Sequence, residues 1–458
     1  MTSYFFVGIG GSGMLPLATI LRGRGAEVAG SDRSLDQGRT GDKFAFLKAQ
    51  GIRLFPQDGS GVTSADQIVV ASAAVEETVP DISAAQAIGA RRQSRAKLLA
   101  ELFNAAPTSF AVGGTSGKST TTGMIGWILH ACGREPTVMN GAVMKNFVAS
   151  DTPFASALVG KGDAFVSEVD ESDGSIALYR PTIAVVTNVT LDHKPMDELR
   201  ELFGDFVGRA GTAIVNADDS EAAKLNFAGA VTYGFSPEAD IRGRDLVEAP
   251  SSSVFMASHG SQQASVTLAQ PGRHNASNAL GALAATVAAG VSLGEAAEAL
   301  SGFKGLKRRF EIVGEARGVT VIDDFAHNPD KIAATLATLH AFPGRLLIFF
   351  QPHGYGPLKV LKDALTDCFE DAMRGDDLLI LSDPVYFGGT VDRTVGSADV
   401  VTGVFARGRQ ALHIPERVDC GAKLAELARP GDRIVIMGAR DDTLSEFAVE
   451  VLAQLSSL

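Results

Sequence analysis

Short apolar runs alternate with helix-like segments along almost the whole chain. Each run has the length of a strand, is apolar at nearly every position and closes on a small or polar residue. Such runs are typical of strands that are buried on both faces of a sheet. The strands predicted in this way are Tyr4–Gly8, Glu27–Ser31, Gln67–Ser72, Thr108–Gly113, Ala164–Val169, Thr182–Asn188, Ala213–Asn216, Val319–Asp323, Arg345–Gln351, Asp377–Ser382 and Asp432–Gly438. Their alternation with helices predicts an α/β fold, with mostly parallel sheets covered by helices on both faces.

Three interruptions of this pattern suggest how the chain is divided. Ala239–Ala269 is rich in Ser and has short alternating runs, which favour a small antiparallel insertion. Composition changes near Asn104–Thr108, where a helix gives way to a strand, and near Gly302–Gly318, where a Lys/Arg cluster precedes a strand. A length of 458 residues agrees with about three domains. The predicted domains are residues 1–105, 106–304 and 305–458.

Composition narrows the classes of partner and the compartment. With 41 Lys and Arg against 53 Asp and Glu, the net charge is −12, which argues against nucleic acid or an anionic membrane as a main partner. The three Cys are far apart and have no metal-binding spacing. Met1–Met14 lacks the basic start of a signal peptide, and Ala279–Gly294 is too short to span a bilayer. We therefore expect a cytoplasmic protein that binds neither membrane nor nucleic acid.

The strongest motif lies between a predicted strand and a predicted helix, and we name it the phosphate loop. Its sequence is Gly114-Thr115-Ser116-Gly117-Lys118-Ser119-Thr120. Backbone N–H groups in such a loop, together with the start of the helix, cradle phosphates. Lys118 would reach the β- and γ-phosphates, and the hydroxyl of Ser119 or Thr120 would hold Mg²⁺. The loop is a shortened variant, because Val112 stands where the full pattern has Gly.

Two polar segments follow later strands of the same predicted domain. The acidic segment, Glu168–Asp173, ends an apolar strand, and acidic side chains at a strand end suit Mg²⁺–phosphate chemistry. Taken alone it would be read as a solvated acidic loop, but its place one strand–helix unit after the phosphate loop favours a metal site. Asn188 begins a second segment that ends in Asp192-His193, which we interpret as part of a metal or phosphate site.

A second glycine-rich turn opens the chain, and we name it the N-terminal glycine loop. Its sequence is Gly8-Ile9-Gly10-Gly11-Ser12-Gly13-Met14, and Asp32 ends the next predicted strand. This G-x-G-x-x-G pattern, with an acid about 20 residues later, is typical of dinucleotide binding. The pattern requires only a diphosphate against a helix N-terminus, so NAD and a UDP-sugar fit equally well.

Three further clusters fit an ordinary structural role as well as a functional one. Gly272-Arg273-His274-Asn275, with Asn278, also fits a helix cap. Lys307-Arg308-Arg309-Phe310 also fits a solvated basic run, and Asp323–Pro329 also fits a turn.

Taken in order, these motifs and Gln351-Pro352-His353 resemble the Mur ligase family over essentially the whole chain. Within that family they are most similar to the branch that adds the first amino acid to UDP-N-acetylmuramate and to the branch that recycles murein tripeptide. The resemblance implies three domains: a Rossmann-like N-terminal domain for the UDP-sugar, a central P-loop ATPase domain and a Rossmann-like C-terminal domain that admits the amino acid. It also implies ATP and Mg²⁺, an acyl phosphate, an amide product, L-alanine as the expected acceptor, and a role in peptidoglycan synthesis.

The resemblance also implies roles for individual residues. Lys118, His193, Arg309 and His327 would be catalytic, with Lys118 stabilising the phosphoryl group in transfer. The residues implied for ATP are Gly114, Thr115, Ser116, Gly117, Lys118, Ser119, Thr120, Asn275, Asn278, Arg309 and Asp324. The residues implied for the UDP-sugar are Gly10, Gly11, Ser12, Gly13, Met14, Asp32 and Ser72. The residues implied for the metal are Ser119, Thr120, Glu168 and His193.

The chain departs from that branch most clearly at Gln351–Pro357, which we name the acceptor loop. The resembled alanine-adding enzymes have two arginines there, where this chain has Gly354 and Pro357. Arginine is the natural partner of a substrate carboxylate, so a different cation must meet it or the acceptor must differ. Arg393 and Lys359 are the nearest candidates along the chain. Smaller departures are Ser116, where the branch has His, and Lys194-Pro195, where it has Met-Asp.

Two other functions compete with the ligase. A nicotinamide-dependent oxidoreductase would explain the N-terminal glycine loop but leaves Lys118, Glu168 and His193 without a role. A non-catalytic nucleotide-binding homologue would explain the changed acceptor loop but not the retained Lys118 and Arg309. The sequence leaves a monomer or a homodimer open, as well as an acceptor other than L-alanine, including a peptide.

Overall fold

The computed structural model describes residues 2–72, 75–191, 194–225, 229–386, 392–439 and 441–457. They form two compact units. The first comprises Met1–Val247, Ser253–Ala269 and Arg273–Leu306, and the second comprises Glu248–Ser252, Gln270–Gly272 and Lys307–Leu458.

The strands and helices of the described residues alternate through most of the chain. The strands are β1 (Ser3–Val7), β2 (Glu27–Ser31), β3 (Arg53–Phe55), β4 (Gln67–Ala71), β5 (Arg91–Ser94), β6 (Thr108–Gly113), β7 (Thr137–Met139), β8 (Ala157–Leu158), β9 (Ala164–Glu168), β10 (Ile183–Val186), β11 (Thr212–Asn216), β12 (Val231–Gly234), β13 (Ile241–Ala249), β14 (Ser252–His259), β15 (Gln262–Leu268), β16 (Glu311–Ala316), β17 (Val319–Asp324), β18 (Leu346–Gln351), β19 (Leu378–Leu381), β20 (Gln410–His413) and β21 (Arg433–Gly438). The helices are α1 (Met14–Gly23), α2 (Arg33–Asp36), α3 (Gly41–Ala49), α4 (Pro80–Ile88), α5 (Arg95–Asn104), α6 (Lys118–Ala131), α7 (Met196–Gly208), α8 (Arg273–Ala288), α9 (Leu293–Ser301), α10 (Pro329–His340), α11 (Tyr355–Ala372), α12 (Ser397–Ala406), α13 (Arg417–Leu427) and α14 (Leu444–Ser457). Short 3₁₀ helices lie at Lys145–Phe147, Ser175–Leu178 and Ala222–Leu225.

The first sheet is parallel and has the order β3-β2-β1-β4-β5 within the described residues. Phe5 and Phe6 of β1 are both fully buried, because helices cover the two faces of the sheet. The chain runs outward on one side of β1 through β2 and β3, and on the other side through β4 and β5. The carboxyl ends of β1 and β4 therefore flank a topological switch point, the place where open α/β sheets bind ligands.

The second sheet has the order β15-β14-β13-β12-β11-β10-β6-β9-β7-β8 within the described part of the chain. β6 lies between β10 and β9 and runs parallel to both, and the register pairs Val112 with Glu168. β14 and β15 form an antiparallel hairpin at one edge, which confirms the antiparallel insertion predicted from Ala239–Ala269.

Aromatic side chains join the first two sheets into one unit. Phe103 of α5 packs edge-on against Phe165 of β9, with ring centroids 5.7 Å apart, and against Tyr179, at 5.1 Å. All three are almost fully buried. Desolvation raises the pKa of Tyr179 far above its ordinary value, as expected of a phenol in an apolar core.

The third sheet has the order β16-β17-β21-β18-β19-β20 in the described residues. β16 pairs antiparallel with β17, and the remaining pairs are parallel. Successive residues of β18 face opposite sides: Phe349 packs against Phe447 of α14, and Phe350 packs against Phe369 of α11. This doubly covered sheet is the Rossmann-like C-terminal fold that the sequence predicted.

The central strands predicted from apolar runs are confirmed, each to within a few residues at its ends. Several short strands were not predicted, because they carry little apolar signal: β5, Arg-Arg-Gln-Ser, is polar at every position. No helix in the described ranges combines the length and the hydropathy that a membrane crossing requires.

Candidate functional site

The phosphate loop joins β6 to α6 through two glycines in backbone conformations that other residues rarely adopt. Gly114 has φ +132° and Gly117 has φ +82°. A Cβ on Gly114 would collide with the hydroxyl of Thr187, and one on Gly117 would collide with the amide oxygen of Asn278. The glycines therefore let two other segments, the end of β10 and the start of α8, approach the same turn.

The end of β10 fixes the shape of this loop. Thr187 Oγ1 donates to the Ser116 carbonyl at 2.6 Å, and Asn188 Nδ2 donates to the same carbonyl at 3.1 Å. The Ser116 N–H donates back to Asn188 Oδ1 at 2.9 Å. Thr115 Oγ1 donates to the Thr190 carbonyl at 3.1 Å. The segment that begins at Asn188, predicted to belong to the site, thus contacts the loop directly; the part played by Thr187 was not predicted.

Lys118 is the first residue of α6, and two acceptors hold its ammonium group. Nζ donates to the Gly114 carbonyl and to Glu171 Oε2, each at 2.7 Å. The side chain of Glu171 is 4% exposed and that of Lys118 is 19% exposed. Sequence reasoning placed Glu171 in the acidic segment but gave it no role.

Ser119 and Glu168 form a second pair beside the first. Ser119 Oγ donates to Glu168 Oε2 at 2.7 Å, and Asn140 Nδ2 holds the Ser119 carbonyl at 2.9 Å. Gly141 is required here, because a Cβ at this position would overlap Glu168 Oε1. The pairing of Val112 with Glu168 explains the meeting, since it brings the carboxyl end of β9 to the start of the phosphate loop.

The donor set of this pair fits Mg²⁺. A hydroxyl and a carboxylate are hard oxygen ligands, and Mg²⁺ commonly takes one or two carboxylates and keeps several waters. Among the described residues no group of three or more His, Cys, Asp or Glu side chains is arranged as a metal site. Asp192 and His193, which complete the predicted metal site, lie outside the described residues.

Asp170 adds a further negative charge at this edge. Desolvation by the surrounding loop would raise the pKa of Asp170, but the Lys118 charge and the hydrogen bond from Ser172 outweigh it, so the pKa lies below its ordinary value. Asp170 is therefore ionised at neutral pH.

The start of α8 also reaches the phosphate loop. Asn278 lies against Gly117, as described above, and Asn275 is in the same first turns of α8. Asn275 and Asn278 are 4% and 8% exposed. Thr120, in the first turn of α6, is 8% exposed. Their predicted contacts with ATP stay predictions.

The N-terminal glycine loop lies at the switch point of the first sheet and is tied to β2. The N–H groups of Gly8 and Ile9 both donate to the Ser31 carbonyl at 2.9 Å. Asp32 Oδ2 accepts from the Gly10 N–H and Asp32 Oδ1 accepts from the Ser34 N–H, each at 2.8 Å. Asp32 is 8% exposed, so its carboxylate shapes the loop and caps α2.

Two cations that sequence reasoning missed border this loop. Lys43 Nζ donates to the Gly10 carbonyl at 3.2 Å. A Cβ on Gly13 would lie 3.1 Å from a guanidinium nitrogen of Arg95, whose other nitrogen is 3.7 Å from Asp173. Arg95 directly follows β5, at the carboxyl edge of the sheet, and it could not be found from the sequence because β5 was not predicted. Gly13 precedes α1, whose start has no side-chain cap among the described residues.

The remaining predicted residues of this loop lie around it. Gly11 and Ser12 are exposed in the turn, and Met14 begins α1 as a buried residue. Ser72 directly follows β4, the strand on the other side of the switch point, and its carbonyl accepts from the Val75 N–H at 3.1 Å. The first sheet thus brings the predicted UDP-sugar residues to one edge.

In the second unit, the predicted residues gather around the carboxyl ends of β17 and β18. The His327 ring packs edge-on against the rings of His353 and Phe325, with centroids 5.2 and 5.5 Å apart. Arg309 lies over the Phe325 ring, 4.3 Å from its centroid. His327 Nδ1 is 2.9 Å from the Phe325 carbonyl.

Two neighbouring aspartates at the end of β17 have structural partners. Asp324 Oδ1 accepts from the N–H groups of Phe310 and Phe325 at 3.1 and 2.9 Å, and Oδ2 accepts from the Thr335 hydroxyl. Burial raises the pKa of Asp323 to about 6, although Arg308, 3.4 Å away, opposes that shift. The predicted contact of Asp324 with ATP stays a prediction.

The backbone of the acceptor loop fits the residues found at positions 354 and 357. Gly354 has φ +144°, a conformation open to Gly and strained for Arg. Pro357 is the third residue of α11, where a helix lacks an internal partner for the N–H in any case. Both residues that stand in place of the arginines therefore fit the local backbone.

Of the two candidate cations near this loop, Arg393 has the more open position. Its guanidinium carbon lies 4.3 Å from the Tyr386 ring centroid and 5.2 Å from that of Tyr355. No carboxylate of the described residues pairs with it. Lys359 Nζ instead pairs with Asp392 at 2.5 Å.

Comparison with known proteins finds one family over each part of the chain. Residues 3–106 match the Mur ligase family, catalytic domain; residues 112–286 match the Mur ligase middle domain; and residues 308–440 match the Mur ligase, glutamate ligase domain. A UDP-N-acetylmuramate–L-alanine ligase from Jannaschia sp. is 37% identical, with 100% of this chain and 96% of the relative covered. A ligase of the same name from Bradyrhizobium sp. (strain BTAi1) is 36% identical, with 97% and 96% covered.

Solved structures show the same fold over the full length. The crystal structure of UDP-N-acetylmuramate–alanine ligase from Thermotoga maritima matches with a TM-score of 0.79 at 24% identity, covering 100% of both chains. A murein peptide ligase from Psychrobacter arcticus matches with a TM-score of 0.74 at 25% identity, covering 100% of this chain and 99% of the other. The chain therefore belongs to the Mur ligase family, whose members are ATP-dependent ligases.

Proposed function

We propose that this protein joins an amino acid, L-alanine, to the carboxylate of UDP-N-acetylmuramate with the cleavage of ATP to ADP and phosphate, as a step in peptidoglycan synthesis. The observation that carries the proposal is the phosphate loop, in which Lys118 and the Ser119–Glu168 pair lie side by side at the start of α6. The full-length relatives named UDP-N-acetylmuramate–L-alanine ligase support the choice of substrates.

Transfer of the γ-phosphoryl group needs charge neutralisation and alignment more than covalent chemistry. The backbone N–H groups of Gly117 and of the N-terminus of α6 bind the phosphates of ATP, and the Lys118 ammonium stabilises the group in transfer. A carboxylate oxygen of UDP-N-acetylmuramate attacks the γ-phosphorus, ADP leaves, and an acyl phosphate forms.

Ser119 and Glu168 are the residues that would hold Mg²⁺, with Thr120 and His193 as further candidates. The ion neutralises charge on the phosphate oxygens when bound. Gly114, Thr115, Ser116 and Gly117 shape the loop around the phosphates. Asn275 and Asn278 contact the nucleotide from the start of α8.

The N-terminal glycine loop binds the UDP-sugar. Ser12 and Gly13 present backbone N–H groups at the switch point. Gly10, Gly11 and Met14 shape the loop, since their N–H groups donate to Asp32 and to loop carbonyls, and Ser72 borders the opposite strand. Lys43 and Arg95 lie beside the loop, and their two positive charges match the two negative charges of a diphosphate in a UDP-sugar. If the N-terminal glycine loop bound a nicotinamide cofactor for hydride transfer, the phosphate loop would have no part in the reaction.

Amide formation follows on the acyl phosphate. The amine of the acceptor attacks the acyl carbon, and phosphate leaves from the tetrahedral intermediate with the oxygen it gained from the carboxylate. Arg393 meets the acceptor's own carboxylate, in place of the arginines absent at 354 and 357. Arg309, Asp324 and His327 contribute to ATP binding and catalysis.

Three features of the protein remain part of the proposal: a cytoplasmic location, a monomeric or homodimeric state, and the domain boundaries at residues 105 and 304. The location follows from the substrates, because ATP is a cytoplasmic reagent.

Phosphate release measured with each substrate omitted in turn tests the function. We expect release only when ATP, Mg²⁺, UDP-N-acetylmuramate and an amino acid are all present, with L-alanine the best of the twenty amino acids. A murein tripeptide preferred over every amino acid would reassign the acceptor. Hydride transfer from NADH in place of phosphate release would overturn the proposal.

A further inference from the structure

We propose that Glu171 is a positioning residue for Lys118, holding the ammonium group in the orientation that phosphoryl transfer requires. This inference rests on the proposed function, since it assigns Lys118 to the transferring phosphate.

The first observation is the geometry of the Lys118 ammonium group. Glu171 Oε2 and the Gly114 carbonyl each lie 2.7 Å from Nζ, so two fixed acceptors define its direction. A lysine side chain has four rotatable bonds, and its ammonium otherwise samples many positions. Two acceptors therefore restrict the group that must align with a phosphate.

The second observation is the burial of Glu171, which is 3% exposed. A buried ion pair gains little net stability over apolar packing, because removing both charges from water costs about as much as their attraction returns. Stability therefore does not explain an acid in this place, whereas orientation of Lys118 does.

The third observation is the parallel arrangement of two pairs. Lys118 and Ser119 are consecutive, and their partners Glu171 and Glu168 are three residues apart in the acidic segment. The acidic segment thus orients the cation with one carboxylate and offers an oxygen ligand for Mg²⁺ with the other. The two carboxylates have separate tasks.

Glu171→Gln tests this role, because it keeps the size of the side chain and removes its charge. We expect kcat to fall about tenfold, the scale of one charge-assisted hydrogen bond, with the KM for ATP within about twofold of wild type. Glu171→Asp keeps the charge on a shorter side chain and should have an intermediate kcat. Glu221→Gln, which removes an acid paired with Arg200 and Lys224 in the same unit, is the matched control and should leave kcat unchanged.

A double-mutant cycle separates positioning from a general structural role. In a Lys118→Ala background, Glu171→Gln should change product formation by less than about twofold, since the group it positions is gone. An equal loss of kcat in both backgrounds would overturn the proposal, and so would a raised KM for ATP with unchanged kcat.

A second measurement does not need the ligase reaction. Peptide-resolved acetylation of the folded protein should label Lys118 at least about fivefold faster in Glu171→Gln, because a released ammonium group is more accessible. Glu221→Gln should accelerate the labelling of Lys224 and not of Lys118. A wild type without ligase activity would remove the proposed function, while unchanged labelling of Lys118 would remove the role of Glu171.

Discussion

Lys118 has the most direct task assigned to any single side chain here. Its ammonium group lies at the start of the phosphate loop, 2.7 Å from the Gly114 carbonyl. The loop backbone is held by hydrogen bonds with Thr187 and Asn188 and does not depend on the Lys118 side chain. Lys118→Ala should therefore keep the fold, at lower stability because the buried Glu171 loses its partner, and lose at least about 100-fold in kcat, as when a preorganised charge is removed from a transition state. Steady-state kinetics with circular dichroism checks both parts. Lys224→Ala, in a surface ion pair, is the control, and near-wild-type turnover of Lys118→Ala would contradict the assignment.

The second prediction at this scale concerns the acceptor carboxylate. Arg393→Ala should raise the KM for L-alanine about ten- to a hundredfold and leave the KM for ATP unchanged, because one charge-assisted contact is lost. L-alaninamide lacks the carboxylate, so its KM should barely respond to the substitution. Arg407→Ala removes an arginine that pairs with Asp367 and Glu370 and is the matched control. If Arg393→Ala and Lys359→Ala both leave the KM for L-alanine unchanged, the carboxylate is bound elsewhere.

Residue spacing predicted which side chains gather, but not what each one contacts. Asp32 stands at the spacing of a ribose-binding acid, yet its carboxylate accepts from the N–H groups of Gly10 and Ser34. Glu171 was one acid among several until its distance to Lys118 was known. The Gly10–Asp32 and Lys118–Glu171 contacts join residues 22 and 53 positions apart, and no local pattern specifies them.

At the scale of elements, the strand–loop–helix unit β6–α6 depends on the backbone of Gly117. Gly117→Ala forces an alanine to φ +82° and also presses its Cβ onto Asn278. Gly290 has the same φ of +82° with open space around it, so Gly290→Ala isolates the backbone cost of about 1 kcal/mol. We expect both variants to lose stability but only Gly117→Ala to lose ATP turnover.

Thermal melting and ATP-dependent phosphate release distinguish these two effects. Equal turnover in the two alanine variants would mean that the close approach of α8 to the phosphate loop does not affect ATP turnover.

Elements were predictable from the sequence where both faces of a strand are buried. β10 is apolar throughout, β6 and β21 each contain a run of at least three apolar residues, and all three strands were predicted to within a few residues. β5 and β20 lie at sheet edges and leave no continuous apolar run, because β5 is polar at every position and β20 mixes polar with apolar residues. The antiparallel insertion was predictable because β14 alternates buried and exposed positions.

At the scale of the whole molecule, the first unit carries two glycine-rich loops with different proposed ligands. UDP-N-acetylmuramate at a hundredfold excess over its Kd should stabilise the folded protein by about 2.7 kcal/mol through mass action. Differential scanning calorimetry should show a higher melting temperature with the UDP-sugar and an unchanged melting temperature with NADH. A shift with NADH alone would assign the N-terminal glycine loop to a nicotinamide cofactor.

The central claim is that a carboxylate is activated by phosphorylation before it forms an amide. UDP-N-acetylmuramate labelled with oxygen-18 in its carboxylate tests this directly, with mass spectrometry of the released phosphate. We predict one labelled oxygen in each phosphate, formed together with an equal amount of UDP-N-acetylmuramoyl-L-alanine and only when L-alanine is present. Phosphate that carries oxygen from water alone, without amide product, would contradict the account.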